Sequence, residues 1–250
     1  MGPLRRAASG AALAVSFLTI VPVRVRGQVA GLGAAAAWFP LVGALVGGAA
    51  GAVRYLAEPV LGPSVAAILA VATLVVLTGA LHQDGLADCA DGLGVRGDRE
   101  RRLAVMRDSA TGAFGVLALL GWSLLLTSAL AELTREEALR ALVTAALAGR
   151  WAALLHARAT PPARRDGLGA RFDVAPIALL AASATALAGA LLLDGQLHGL
   201  AALAAAALVA AGTSVWARAG LGGRTGDTLG ATVALAEVAV CLTLLGFATA

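Results

Sequence analysis

Three aspartates in the segment His82-Gln-Asp84-Gly-Leu-Ala-Asp88-Cys-Ala-Asp91-Gly92 fall at i, i+4 and i+7. On a helix turning about 100° per residue, these positions share roughly a 60° arc of one face. Carboxylates held so close repel one another and resist ionisation, and a divalent cation removes that penalty. Hard oxygen donors in this number suit Mg²⁺, Mn²⁺ or Ca²⁺ rather than zinc. A solvated acidic helix end is the bland alternative. It accounts poorly for Leu86, Ala87, Cys89 and Ala90, which fill the other positions with apolar or small residues.

Two more polar clusters could serve the same chemistry. Gly222-Gly223-Arg224-Thr225-Gly226-Asp227-Thr228-Leu229-Gly230 precedes an apolar run. Glycines there let backbone approach a ligand, a helix N-terminus offers free N–H groups to an anion, and Asp227 could add a metal ligand. A plain Gly-rich connection between two helices is the alternative. Arg107-Asp108-Ser109-Ala-Thr111-Gly112-Ala-Phe-Gly115 opens another run. It reads either as phosphate recognition or as a positive-inside anchor, Arg107, followed by an N-cap, Ser109.

The elements that must position these groups cross a membrane. Of the 250 residues 59% are hydrophobic and only 14% charged, with a mean hydropathy of +0.85. A soluble domain carries about a quarter charged residues. Seven runs are apolar and long enough to span roughly 30 Å of hydrocarbon as helix: 31–53, 59–81, 109–131, 139–157, 174–193, 197–217 and 229–248. Turns are expected at 54–58 and 194–196. The runs lack the alternation of a transmembrane barrel. The expectation is an all-α polytopic membrane protein, one catalytic domain over residues 1–250, with about seven membrane helices and a short N-terminal helix. That helix, from Ala7 to Val21, is short for a span and lacks a cleavage pattern, so it is read as retained, lying in the interface or re-entrant.

All the basic residues are arginine. With the N-terminus inside, fifteen of them fall before residue 31 or in loops 82–108, 158–173 and 218–228, against three outside, Arg54, Arg135 and Arg140. Positive residues gather in cytoplasmic loops, so the polar clusters are expected to face the cytoplasm, and the high pI needs no nucleic acid. Cys89 and Cys241 form no disulfide framework in that reducing setting. Two charges remain inside the membrane. Arg150 and Glu237 each sit roughly 10–12 Å from the inner end of their spans, by helical rise. Equal depth favours a buried ion pair, with a shared polar cavity as the alternative. His82, His156 and His198 are not read as metal ligands.

These residues carry a resemblance. The blocks 82–92, 107–115 and 222–230, with Phe17-Leu-Thr19-Ile-Val-Pro22 and Phe39-Pro40-Leu-Val-Gly43, resemble in order those of the adenosylcobinamide-GDP ribazoletransferase (cobalamin-5′-phosphate synthase) family. Gln83 and Cys89 depart from its pattern without touching the carboxylates. The resemblance implies that a hydroxyl of α-ribazole, or of its 5′-phosphate, attacks the cobinamide-linked phosphorus of adenosylcobinamide-GDP and GMP leaves, the last assembly of cobalamin. It also implies a helical bundle similar to the CDP-alcohol phosphotransferases, with aspartates around Mg²⁺. On this basis Asp84, Asp88, Asp91 and Asp227 are assigned to metal, with Asp227 or Asp91 as base. Arg107, Ser109, Thr225, Arg224, Gly223, Gly226 and Arg150 are assigned to phosphate or substrate. The partners expected are the two substrates, the lipid bilayer, and either further copies of the chain or other cobalamin-assembly enzymes.

Two rivals make different demands. A phospholipid-forming CDP-alcohol phosphotransferase should carry Asp-Gly-x-x-Ala-Arg, whereas Asp84-Gly85-Leu-Ala87-Asp88 lacks that arginine. A membrane transporter should place its polar groups near mid-membrane and open to both sides.

Overall fold

The computed structural model describes residues 3–23 and 31–249, so Arg24 and Arg26 of the topology count lie outside the described residues. The described residues are helical apart from loops and one isolated parallel bridge between Pro162 and Arg224. In chain order come α1 (Pro3–Leu18), α2 (Leu32–Ala35), a 3-10 turn (Ala36–Trp38), α3 (Phe39–Thr78), α4 (Leu81–Gly94) and α5 (Arg99–Val105). They are followed by α6 (Ala113–Glu132), α7 (Arg135–Ala159), α8 (Leu168–Arg171), α9 (Pro176–Leu221) and α10 (Gly226–Ala248).

Five stretches are long and apolar enough to cross a membrane: Leu32–Thr78, Ala113–Glu132, Arg135–Ala159, Pro176–Leu221 and Gly226–Ala248. They account for the seven expected runs because α3 and α9 each break at a glycine with positive φ, Gly62 at 75° and Gly195 at 76°. Only glycine adopts this conformation without penalty. Beyond Gly195 the chain doubles back, since a methyl group on Gly199 would run into the carbonyl of Ala190. The ends of α3 likewise meet at α1. Phe39 stacks on Phe17 with ring centroids 5.8 Å apart, and Leu77 accepts a backbone hydrogen bond from Ile20. Both broken helices are therefore hairpins, and the starts of α6, α9 and α10 come to the same end of the bundle as the end of α7.

The turn expected at 54–58 is instead continuous helix. Arg54 is fully buried, pairs with Glu58, and donates to the carbonyls of Leu130 at 3.1 Å and Leu133 at 3.4 Å. Those carbonyls close α6, where the last turn lacks intrahelical partners. The charge that looked like a loop marker is consumed inside the protein.

Helix α7 lies centrally, against α3, α9 and α10. It starts with a capping box in which the Thr134 side chain accepts from the Glu137 amide while Glu137 accepts from Thr134. Gly43, Gly47 and Gly51 line the α3 face that meets α7, small residues that let two backbones come close in a bilayer, where no hydrophobic force drives helices together. The N-terminal helix packs on the start of α3, with Ala14 and Leu18 buried.

A candidate metal and phosphate site

The aspartate run does not continue the second span. Gly79 and Ala80 both take left-handed backbone, each with φ of 59°, ending α3 and sending α4 off in a new direction. A non-glycine residue there costs roughly 1–2 kcal/mol, recovered by the packing of α4 against α10 and α6. At Gly85 the two backbones nearly touch. A methyl group there would lie 2.6 Å from the carbonyl oxygen of Asp227. This crossing brings the aspartate face of α4 to the first turn of α10.

Asp84 is exposed, while Asp88, Asp91 and Asp227 are half-buried. Burial, reinforced by Asp227, Asp84 and Asp91, pushes the Asp88 carboxyl up to about 7, with Arg164 opposing. The aspartates thus feel one another as the sequence spacing requires, although no three His, Cys, Asp or Glu side chains among the described residues close into a ligand set. The donors nonetheless fit a hard divalent cation, because carboxylates whose ionisation is opposed first by burial and then by one another gain most from a positive charge.

Asp91 has another occupation. Its two oxygens accept from the amides of Gly112, at 2.7 Å, and Gly115, at 2.9 Å. It thereby caps α6, whose first amides have no intrahelical acceptor. Ser109, read as a possible cap, is exposed and four residues before Ala113, and Gly112 holds the cap position. Arg107 is exposed and reaches Asp166 at 3.2 Å.

The glycine-rich segment serves the fold more than a ligand. The Arg224 guanidinium is buried and donates to the carbonyls of Thr160, Gly169 at 3.1 Å and Phe172 at 2.9 Å. Three of its five N–H groups are thus spent on holding the 160–172 segment. Gly223 is buried against the carbonyl of Pro161, not open to a ligand. Thr225 is buried as the N-cap of α10. Its hydroxyl accepts from the Thr228 amide at 3.2 Å and donates to Asp227 Oδ2 at 3.1 Å. It therefore orients Asp227 and has no capacity left for phosphate. Gly226 does line the site, bordering cavities on both sides of Asp227.

Arg164 is the residue that spacing did not reveal. It donates to the carbonyl of Leu103 at 3.0 Å and its Nε has no partner. Burial and then neighbouring Arg107 lower its pKa, while Asp227, Asp166 and Asp88 support its charge. An arginine facing the aspartates beside a second arginine is a place for an anion. The signal available was only an Arg-Arg-Asp run in a loop on the same side as the acids.

Arg150 and Glu237 form the expected pair between α7 and α10, both essentially buried. Arg150 Nη2 lies 3.5 Å from His82 Nδ1, and burial, then Arg150, holds the His82 imidazole well below its ordinary range. Cys89 and Cys241 are buried and free, Cys89 within α4 rather than a loop.

A family model described as cobalamin-5-phosphate synthase matches residues 10–245. The adenosylcobinamide-GDP ribazoletransferase of Bradyrhizobium diazoefficiens is 41% identical over 244 residues, covering 94% of this chain and 92% of that protein. Those of Ralstonia nicotianae (40% identical, 99% and 98% covered) and Desulforamulus reducens (41%, 94% and 95%) are similarly close. No solved structure matches.

Proposed function

The chain belongs to the cobalamin-5-phosphate synthase family, and we propose that it joins adenosylcobinamide-GDP to α-ribazole or its 5′-phosphate, releasing GMP. The observation that carries the site assignment is the crossing of α4 and α10 at Gly85, which gathers Asp84, Asp88 and Asp227 opposite Arg164.

Asp84, Asp88 and Asp227 would hold magnesium, and Asp91 fixes the start of α6 beside them. A cation held there would supply positive charge for the diphosphate and the departing phosphate. Arg164, with Arg107 beside it, takes the remaining phosphate charge. The acceptor hydroxyl oxygen forms a bond to the cobinamide-linked phosphorus, and the bond from that phosphorus to the GMP oxygen breaks with its electron pair leaving on GMP. The hydroxyl proton goes to Asp227 Oδ1, since Oδ2 accepts from Thr225. Both oxygens of Asp91 are engaged by amides, which leaves Asp227 the better-placed base.

The arginine-rich loops at this end of the bundle support a site on the cytoplasmic side of the inner membrane. The test is direct. Protein purified in detergent, given adenosylcobinamide-GDP, α-ribazole and Mg²⁺, should release one GMP per corrinoid product. EDTA should stop the reaction and excess Mg²⁺ restore it. Absence of GMP release under these conditions would overturn the reading.

A further inference from the structure

Beside the aspartates lies a cavity of about 150 Å³ between α1, the start of α3, α4, α7 and α10. Its walls are mostly apolar, with Phe17, Phe39 and Phe172 beside Ala153, Leu229 and Val233. The rings are ordered among themselves, Phe17 stacked on Phe39 and Phe39 tilted at 31° to Phe172 with centroids 5.5 Å apart. Asp84 and Asp227 also line it, so whatever fills it sits against the acids. The other polar side chains there are His82 and Arg150.

We infer that this cavity is the acceptor subsite. It takes the flat, apolar aromatic base of the ribazole, with the ring's acceptor nitrogen toward the edge formed by His82 and Arg150 and the ribose hydroxyl toward Asp84 and Asp227. The inference rests on the reaction proposed above and adds where its nucleophile is held.

The chemistry of the lining supports this occupant, with two acids at the edge of an apolar cavity of about 150 Å³. The methylated benzimidazole of ribazole has no N–H when glycosylated and one free acceptor nitrogen. That suits apolar, phenylalanine-bearing walls with a short polar edge at His82 and Arg150. Guanine, the base of the leaving nucleotide, brings N–H donors that would face hydrocarbon, and buried donors without acceptors are costly. An acyl chain would satisfy the walls but offer nothing to the polar edge of His82, Arg150, Asp84 and Asp227. The placement also accounts for two motifs far apart in sequence, 17–22 and 39–43, whose phenylalanines meet here.

The experiment uses the full chain in detergent with both substrates. On the unmodified protein, 5,6-dimethylbenzimidazole should compete with α-ribazole and not with adenosylcobinamide-GDP. Ala153→Leu, which fills the cavity, and Phe172→Leu, which removes one ring from a loop, should each raise KM for α-ribazole about tenfold. KM for adenosylcobinamide-GDP should stay within about twofold by the same scale. If Ala153→Leu fails to fold, the competition data and Phe172→Leu still decide. Competition by guanosine instead, or a rise in KM for adenosylcobinamide-GDP alone, would give the cavity to the donor. Unchanged constants for both substrates would make it a lipid or solvent cavity. Each of these overturns the inference while GMP release continues. Loss of GMP release from the unmodified protein overturns the reaction itself, and the inference with it.

Discussion

The Arg150 guanidinium meets the Glu237 carboxylate across the α7–α10 interface, with both side chains at most 2% exposed. Arg150 borders the aromatic cavity and donates also to the carbonyl of Ala146 at 3.2 Å. The pair therefore ties the central helix to the helix that carries Asp227.

Removing one partner strands a buried charge, at a cost of about 3–5 kcal/mol. Arg150→Ala and Glu237→Ala should each lower the detergent melting temperature by several degrees. Arg150→Leu with Glu237→Leu leaves no stranded charge and should recover much of that loss. KM for ribazole should stay high in the double variant, because the cation at the cavity's polar edge is gone. Additive destabilisation in the double variant would show that the two groups are not coupled.

Asp91 and Asp84 should separate in stability measurements although both belong to the same run. Asp91→Asn replaces one acceptor oxygen by an N–H donor facing the amide of Gly112 or Gly115. The expected loss is about 1–3 kcal/mol, read as a lower melting temperature. Asp84→Asn removes a like charge from an exposed position and should leave melting unchanged or slightly raised, while turnover disappears. Equal melting of the two variants would refute the capping role.

Arg164→Gln should raise KM for adenosylcobinamide-GDP about tenfold or more, as loss of a charged hydrogen bond does. Arg107→Gln should do less, because its ion pair with Asp166 is largely solvent-exposed. Arg224→Leu should instead lower melting temperature, since it leaves the Thr160, Gly169 and Phe172 carbonyls without their donor. An Arg164→Gln variant with normal KM would remove Arg164 from the site.

What could be read from the sequence was local. The common face of Asp84, Asp88 and Asp91 follows from helical spacing alone, and the Arg150–Glu237 pair followed from equal depth because a bilayer fixes how far a residue lies from a helix end. The α9 turn at Gly195 coincided with a polar break. The α3 turn did not, because Arg54 and Glu58 find partners inside the bundle and the reversal falls at Gly62. Arg224, Thr225 and Gly223 looked like ligand groups because nothing local shows that segment 160–172 folds over them. Arg164 went unassigned for the converse reason: only the tertiary fold sets it opposite the acids.

Orientation can be checked independently of activity. On a background lacking Cys89 and Cys241, a single cysteine at exposed Arg165 should resist impermeant thiol reagents in intact cells and react after lysis. Labelling from outside would reverse the topology that the arginine distribution supports.

The last prediction concerns the helix crossing on which the site depends. A methyl group at Gly85 would meet Asp227 at 2.6 Å from its carbonyl oxygen and 3.0 Å from its Cα. These are backbone atoms, so no side chain can swing away, and α4 must move from α10. Overpacking of this kind costs about 1–3 kcal/mol, which the bundle should survive. The site should not fare as well, because displacing reacting groups by about 1 Å can cost a hundredfold in rate. Gly85→Ala is therefore expected to insert and melt within several degrees of the unmodified protein while losing about a hundredfold in kcat. Gly121→Ala and Gly246→Ala, where an added methyl meets nothing within 4 Å, should leave rate and melting alone. If Gly85→Ala keeps normal turnover, the distance between α4 and the start of α10 does not set the chemistry, and Asp227 does not act together with Asp84 and Asp88.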